Sequence, residues 1–144
     1  MSAAPATPKG IIAYLTVAGG EAAVAFYTAA FGAEEIYRQL ADDGVRLMHS
    51  RLVCNDGVLM LSDDFPDYTG GASNVPVVGQ PRGIILHMAV DDCDAAFIRA
   101  VAAGATPLIP PADMFWGDRY ARIRDPFGHH WSLASPSLAK TDTP

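Results

Sequence analysis

Apolar residues recur at two spacings along the chain, and the switches between them predict its elements. Gly10–Val17 is short, apolar and rich in β-branched residues, a strand that Gly19-Gly20 breaks. Over Glu21–Phe31, residues Ala22, Ala23, Phe26, Ala30 and Phe31 fall near helical spacing, and Gly32 follows where a C-cap glycine belongs. Glu34–Leu40, Val45–Cys54 and Val58–Ser62 are three further strands, separated by the turn signals Asp42-Asp43-Gly44 and Asn55-Asp56-Gly57. Asp63–Gly83 is then a long run of Asp, Pro, Gly and Ser without a period, which points to a functional loop or a linker. The pattern restarts with strand Ile84–Val90, Asp91-Asp92 as a cap, helix Cys93–Ala103 and Gly104 at its end. Thr106–Ile109 is a strand broken by Pro110-Pro111, and Tyr120–Arg124 and His129–Ala134 are the arms of a final hairpin. Its turn is Asp125-Pro126-Phe127-Gly128, where proline presets φ and glycine tolerates a positive one.

The two halves repeat. Ala25-Phe26 before Gly32-Ala33 matches Ala96-Phe97 before Gly104-Ala105, and Val17 matches Val90, at offsets of 71 to 73 residues. This predicts an α+β fold of two βαβββ modules, residues 10–62 and 84–135, joined by a linker over 63–83, with tails at 1–9 and 136–144. Neither module can bury its sheet alone, so one domain of paired modules is expected, with helices covering one face. The opposite faces then form a curved mixed sheet with a central cleft for a ligand.

Composition narrows the function. With 144 residues, 50% of them hydrophobic, the chain makes one globular domain. A net charge of −6 argues against a nucleic-acid partner, which calls for a basic face. No run approaches membrane-spanning length, and Met1–Lys9 lacks the apolar core of a signal peptide. Cys54 and Cys93 have neither metal nor redox spacing and read as free buried thiols of a cytoplasmic protein.

The chemistry gathers in Asp113–Ser132, which holds both tryptophans, two of the four histidines, and Arg119, Arg122 and Arg124. Arg122 and Arg124 share a strand face. As a pair they would suit a carboxylate or phosphonate, although a solvated outer face is the expected place for them. Asp113, Asp118 and Arg119 flank Trp116, either as an ion-paired rim or as ties from loop to hairpin. Asp63-Asp64 reads as loop, and His129 as a residue bonding the turn backbone. No serine-histidine-aspartate elbow, phosphate-binding glycine loop or H-E-x-x-H is present, so hydrolase, kinase and protease readings have no support.

Paired βαβββ modules with A-F-Y-x-x-x-F-G after the first strand and D-P-F-G-H-x-W before the last resemble the vicinal oxygen chelate superfamily. This is the group of glyoxalases, bleomycin-resistance proteins and dioxygenases. Asp113-Met114-Phe115-Trp116-Gly117-Asp118-Arg119-Tyr120 and Leu59-Met60-Leu61-Ser62-Asp63 are similar to its PhnB-like branch. The resemblance implies a homodimer and places metal-ligand positions of the metal-dependent members at Ile12, Ile85, Ser132 and within Val58–Ser62. Two isoleucines, a serine and no carboxylate do not hold a divalent ion, so no metal or other cofactor is expected. The expected function is binding of an unidentified small molecule, lined by Tyr14, Thr16, His49, Arg51, His87, Trp116, His130 and Ser132. The alternative is a divalent-metal-dependent lyase, isomerase or dioxygenase of the glyoxalase type. It would use His49, His87 and His130, which period-two alternation can place on cleft-facing positions.

Overall fold

The computed structural model describes residues 5–80 and 83–138, so the outermost parts of both expected tails and linker residues 81–82 lie outside the described residues. The elements are β1 (Ala13–Val17), α1 (Gly20–Phe31), β2 (Glu34–Leu40), β3 (Leu47–Cys54), β4 (Gly57–Asp63), β5 (Leu86–Ala89), α2 (Cys93–Ala103), β6 (Thr106–Asp113), β7 (Asp118–Arg124) and β8 (His130–Pro136). They form two four-stranded mixed sheets, β1-β4-β3-β2 and β5-β8-β7-β6. In each, the first strand runs parallel to the last while the other pairs are antiparallel.

Sidedness follows from alternation. In β1, Leu15 and Val17 are buried while Tyr14 is half exposed, and across the parallel pair Leu15 meets Leu61. Tyr27, Phe26 and Ala30 of α1 pack onto that apolar side, and Ala100 of α2 does the same with Ile123 and Leu133. The two helices also pack on each other, so one core serves both modules. Arg99 Nε donates to the Ala29 carbonyl across that contact at 2.8 Å.

The helix starts differ. Asp92 caps α2, its carboxylate accepting from Ala95 N at 3.1 Å. Gly19 offers α1 no side chain, and the carboxylate of Asp63, at the end of β4, takes that role from a distance. It accepts from Gly19 N at 2.9 Å, Gly20 N at 2.8 Å and Leu47 N at 2.7 Å, and is buried. The loop assignment of Asp63 is therefore corrected: a buried carboxylate persists because backbone N–H groups at a helix start satisfy it.

Three further expectations need correction. β6 does not stop at Pro110-Pro111 but runs to Asp113. It pairs only with β7, and its register shifts between Pro107 and Ile109 and between Ile109 and Ala112, so the prolines sit in an irregular edge strand that tolerates missing donors. The tails are anchored at their inner ends: Arg51 holds the main chain at Pro5, and Ser137 N donates to the Gly117 carbonyl at 2.9 Å. β1 and β5 are shorter than the apolar runs that encode them, because each is the inner edge of its sheet with one strand neighbour to define it.

Candidate functional site

On the first sheet, cross-strand partners fix what lies opposite α1. Tyr14 pairs with Met60, Thr16 with Ser62, Arg51 with Met60 and Tyr37, and His49 with Gln39, so these share the face turned away from the helix. The Tyr14 hydroxyl lies 2.7 Å from His49 Nδ1. Burial pushes the Tyr14 phenol up and the His49 imidazole down, the latter aided by the Arg51 charge, so the pair is neutral near pH 7. Arg51 is already engaged. Its guanidinium donates to the Pro5 carbonyl at 2.6 Å and to Thr7 Oγ1 at 3.2 Å, so residues 5–7 cross this face over it.

On the second sheet the same logic aligns His87, Ser132 and Arg122 in one row, with His130 and Arg124 in the next. His87 Nδ1 lies 2.6 Å from Ser132 Oγ. Arg122 and Arg124 are thus on the open face and partly buried, instead of on the solvated outer face expected for them. Tyr120 shares their side of β7, and Trp116 meets it edge-on at 5.6 Å between centroids while donating from Nε1 to Asp118 Oδ2 at 3.1 Å. Arg119 points the other way and ties the hairpin to α2 through Asp94 and to the end of β6 through Asp113.

The turn residue Asp125 has a larger part than its motif discloses. It is 2% exposed, and its carboxylate accepts from Tyr27 Oη at 2.5 Å, Trp131 Nε1 at 2.9 Å, Phe127 N at 2.9 Å and His129 N at 3.0 Å. The His129 ring bonds backbone, as expected, but that of β1 and not of the turn: Nε2–H donates to the Thr16 carbonyl at 2.9 Å. Both contacts join the modules. Trp131 belongs to the core, its ring tilted against those of Tyr27 and Phe31.

Along the seam between the sheets lies a cavity of about 540 Å³. Tyr14 from one module and Ile84, Leu86 and His130 from the other line it, and the linker closes it with Pro76 and Val77. A smaller cavity of about 230 Å³ opens farther along, lined by Val58, His87 and Trp131. The structure therefore brings Tyr14 to His130 around one cavity, Tyr14 to His49 on one sheet, and His87 to Ser132 on the other. Trp116 stands apart beside Tyr120.

These residues do not fit a divalent ion. Among the described residues no three His, Cys, Asp or Glu side chains gather into a group that could hold one, so His49, His87 and His130 do not form a site within the chain. His49 and His87 belong to separate sheets, and each directs Nδ1 to a hydroxyl. Arg122 and Arg124, weighed from the sequence as an anion-binding pair but expected on the outer face, and Tyr120, not singled out there, had a usable signal for their side: the hairpin register counted back from Ser132.

A model of the Glyoxalase/Bleomycin resistance protein/Dioxygenase superfamily matches residues 11–133. An uncharacterized protein of Mycobacterium bovis is 43% identical over 123 residues, spanning 85% of this chain and 80% of that one. The crystal structure of TioX from Micromonospora sp. ML1 is similar at a TM-score of 0.68 with 28% identity, covering 90% of this chain and 100% of that one. The PhnB protein from Bacillus cereus, described as a putative 3-demethylubiquinone-9 3-methyltransferase, shares the fold at a TM-score of 0.66 with 18% identity, covering 88% and 99%. The match to the family model spans both modules and the linker, and the chain belongs to the glyoxalase/bleomycin resistance protein/dioxygenase superfamily.

Proposed function

We propose that this protein binds a small molecule against the open sheet faces and the seam between them, holds it without a metal ion, and is a PhnB-like member of its superfamily. The observation that carries the reading is the lining itself. Half-buried polar groups, namely the Tyr14–His49 and His87–Ser132 pairs and Arg122, stand on sheet faces that the helices leave uncovered. Ile12, Ile85 and Ser132 stand at the positions where the family resemblance implies the ligands of its metal-dependent members, which supports binding without metal. A pocket of few polar groups and aromatic walls positions a ligand without needing to transform it, so sequestration is the mode. The chain forms a homodimer, as its family resemblance implies, and a reducing cytoplasm suits the two free buried thiols.

The test is titration of a mixed panel of neutral, cationic and anionic compounds against tryptophan fluorescence, with Trp116→Phe to show which indole reports. Saturable binding supports the reading, and its absence across the panel sinks it. Elemental analysis of untagged protein addresses the metal. One divalent ion per chain, lost in His87→Ala, would replace this reading with the metal-dependent one. Sedimentation of the wild type decides the homodimer.

A further inference from the structure

Most arginines among the described residues have evident work. Arg38 pairs with Glu21 and Glu35, Arg46 with Asp43 and Asp67, and Arg119 with Asp94 and Asp113. Arg51 and Arg99 donate to main-chain carbonyls. Arg122 and Arg124 have no ion-pair partner among the described residues, although the chain carries 16 acidic residues against 10 basic ones. Arg122 Nε, like that of Arg51, is buried and meets no acceptor among the described residues. A carboxylate on the same side of β7, Asp118, is four residues along the strand, about 13 Å away, and bonds Trp116.

A desolvated donor without an acceptor is a cost that an incoming acceptor relieves. Around it, the Ser132–His87 pair supplies polar groups in the same row, and Tyr120, two residues along on the same side, supplies an aromatic wall backed by Trp116. We infer that the ligand of this face carries an oxyanion, a carboxylate or phosphonate. Arg122 takes it in its planar fork with Arg124 beside it, and an aromatic body lies against Tyr120. The inference rests on the binding reading above and adds the charge and shape of what is bound.

Arginine Nε–Hε NMR signals of the full chain, titrated with benzoate, phenylphosphonate and neutral benzamide, test it. The expected result is a saturable shift of the Arg122 signal with an anion, at least about tenfold weaker binding of benzamide, and loss of anion binding in R122Q/R124Q with an unchanged circular dichroism spectrum. Preference between the two anions distinguishes carboxylate from phosphonate. R122K keeps the charge but loses the fork, and it should bind more weakly than wild type and more tightly than R122Q. Equal binding of benzamide, anion binding that survives in R122Q/R124Q, or no response to either anion overturns the inference. Dissociation of a wild-type dimer by R122Q/R124Q also overturns it, because the arginines would then be pairing with a second copy. None of these outcomes touches the binding reading, which falls only if the whole compound panel, neutral members included, fails in the fluorescence titration.

Discussion

Tyr27→Phe is the substitution that most directly probes how the two modules are held together. Tyr27 lies on α1 and is fully buried, and its hydroxyl donates at 2.5 Å to Asp125 in the β7–β8 turn of the other module. Phenylalanine keeps the ring contacts with Phe26, Phe31 and Trp131 and removes only the donor. Asp125 Oδ2 then retains only Trp131 Nε1, while Oδ1 keeps its two backbone donors. A hydrogen bond to a charged group contributes about 1.5–3 kcal/mol, so the variant should lose about 2 kcal/mol and melt about 5–8 °C lower. The pH dependence has a definite sign. Burial first, and the Asp125 carboxylate second, hold the Tyr27 phenol well above its usual range. Above about pH 10 the unfolded chain releases this proton while the folded chain keeps it, so stability is present below that pH and falls as pH rises. Tyr27→Phe should flatten this alkaline limb. Denaturant unfolding at pH 7 and pH 10.5, about half a unit past the tyrosine reference, with Asp125→Asn and the double variant, measures both effects. A melting shift below about 1 °C, or additive single and double changes, would refute the account of Asp125 as the joint between modules.

Other expectations follow from particular contacts. Asp63→Ala strips three backbone N–H groups of their acceptor and should cost about 2 kcal/mol by denaturant titration. Gly20→Ala should cost about 1–3 kcal/mol, because its Cβ would lie 2.6 Å from Asp63 Oδ2 and 3.0 Å from Leu47; adding Asp63→Ala should make the pair of changes less than additive. Burial, and then the Asp94 charge, push the Cys93 thiol up to about 11, and burial raises Cys54, so a disulfide reagent at neutral pH should label neither until the protein unfolds. Burial first and Arg51 second hold His49 below the usual imidazole value, so an NMR titration should find its midpoint below about 6.5 and Arg51→Met should raise its pKa. The stability tied to neutral His49 is present above that pH and declines as pH falls, because the unfolded chain takes up the proton first.

The local pattern decided a great deal. Alternation and helical spacing are properties of a few consecutive residues, so both helices, β2 and the repeated βαβββ order are legible in the sequence, and Gly32 and Asp92 announce the helix ends they form. Period two also says that His49 and Arg51 share a side, but it cannot say which side the helix covers. The hairpin register counted back from Ser132 puts Arg122 and Arg124 on its face, but only the tertiary structure shows that the helices leave that face uncovered. Pro110-Pro111 reads as a break, since proline lacks a donor, and only its place on an edge strand makes the break tolerable. Asp63 and Asp125 look like ordinary turn residues because their partners lie far away in sequence, Tyr27 being 98 residues from Asp125. A carboxylate's worth in a fold depends on which donors the tertiary structure brings to it and how much water it removes, and neither is written in neighbouring residues.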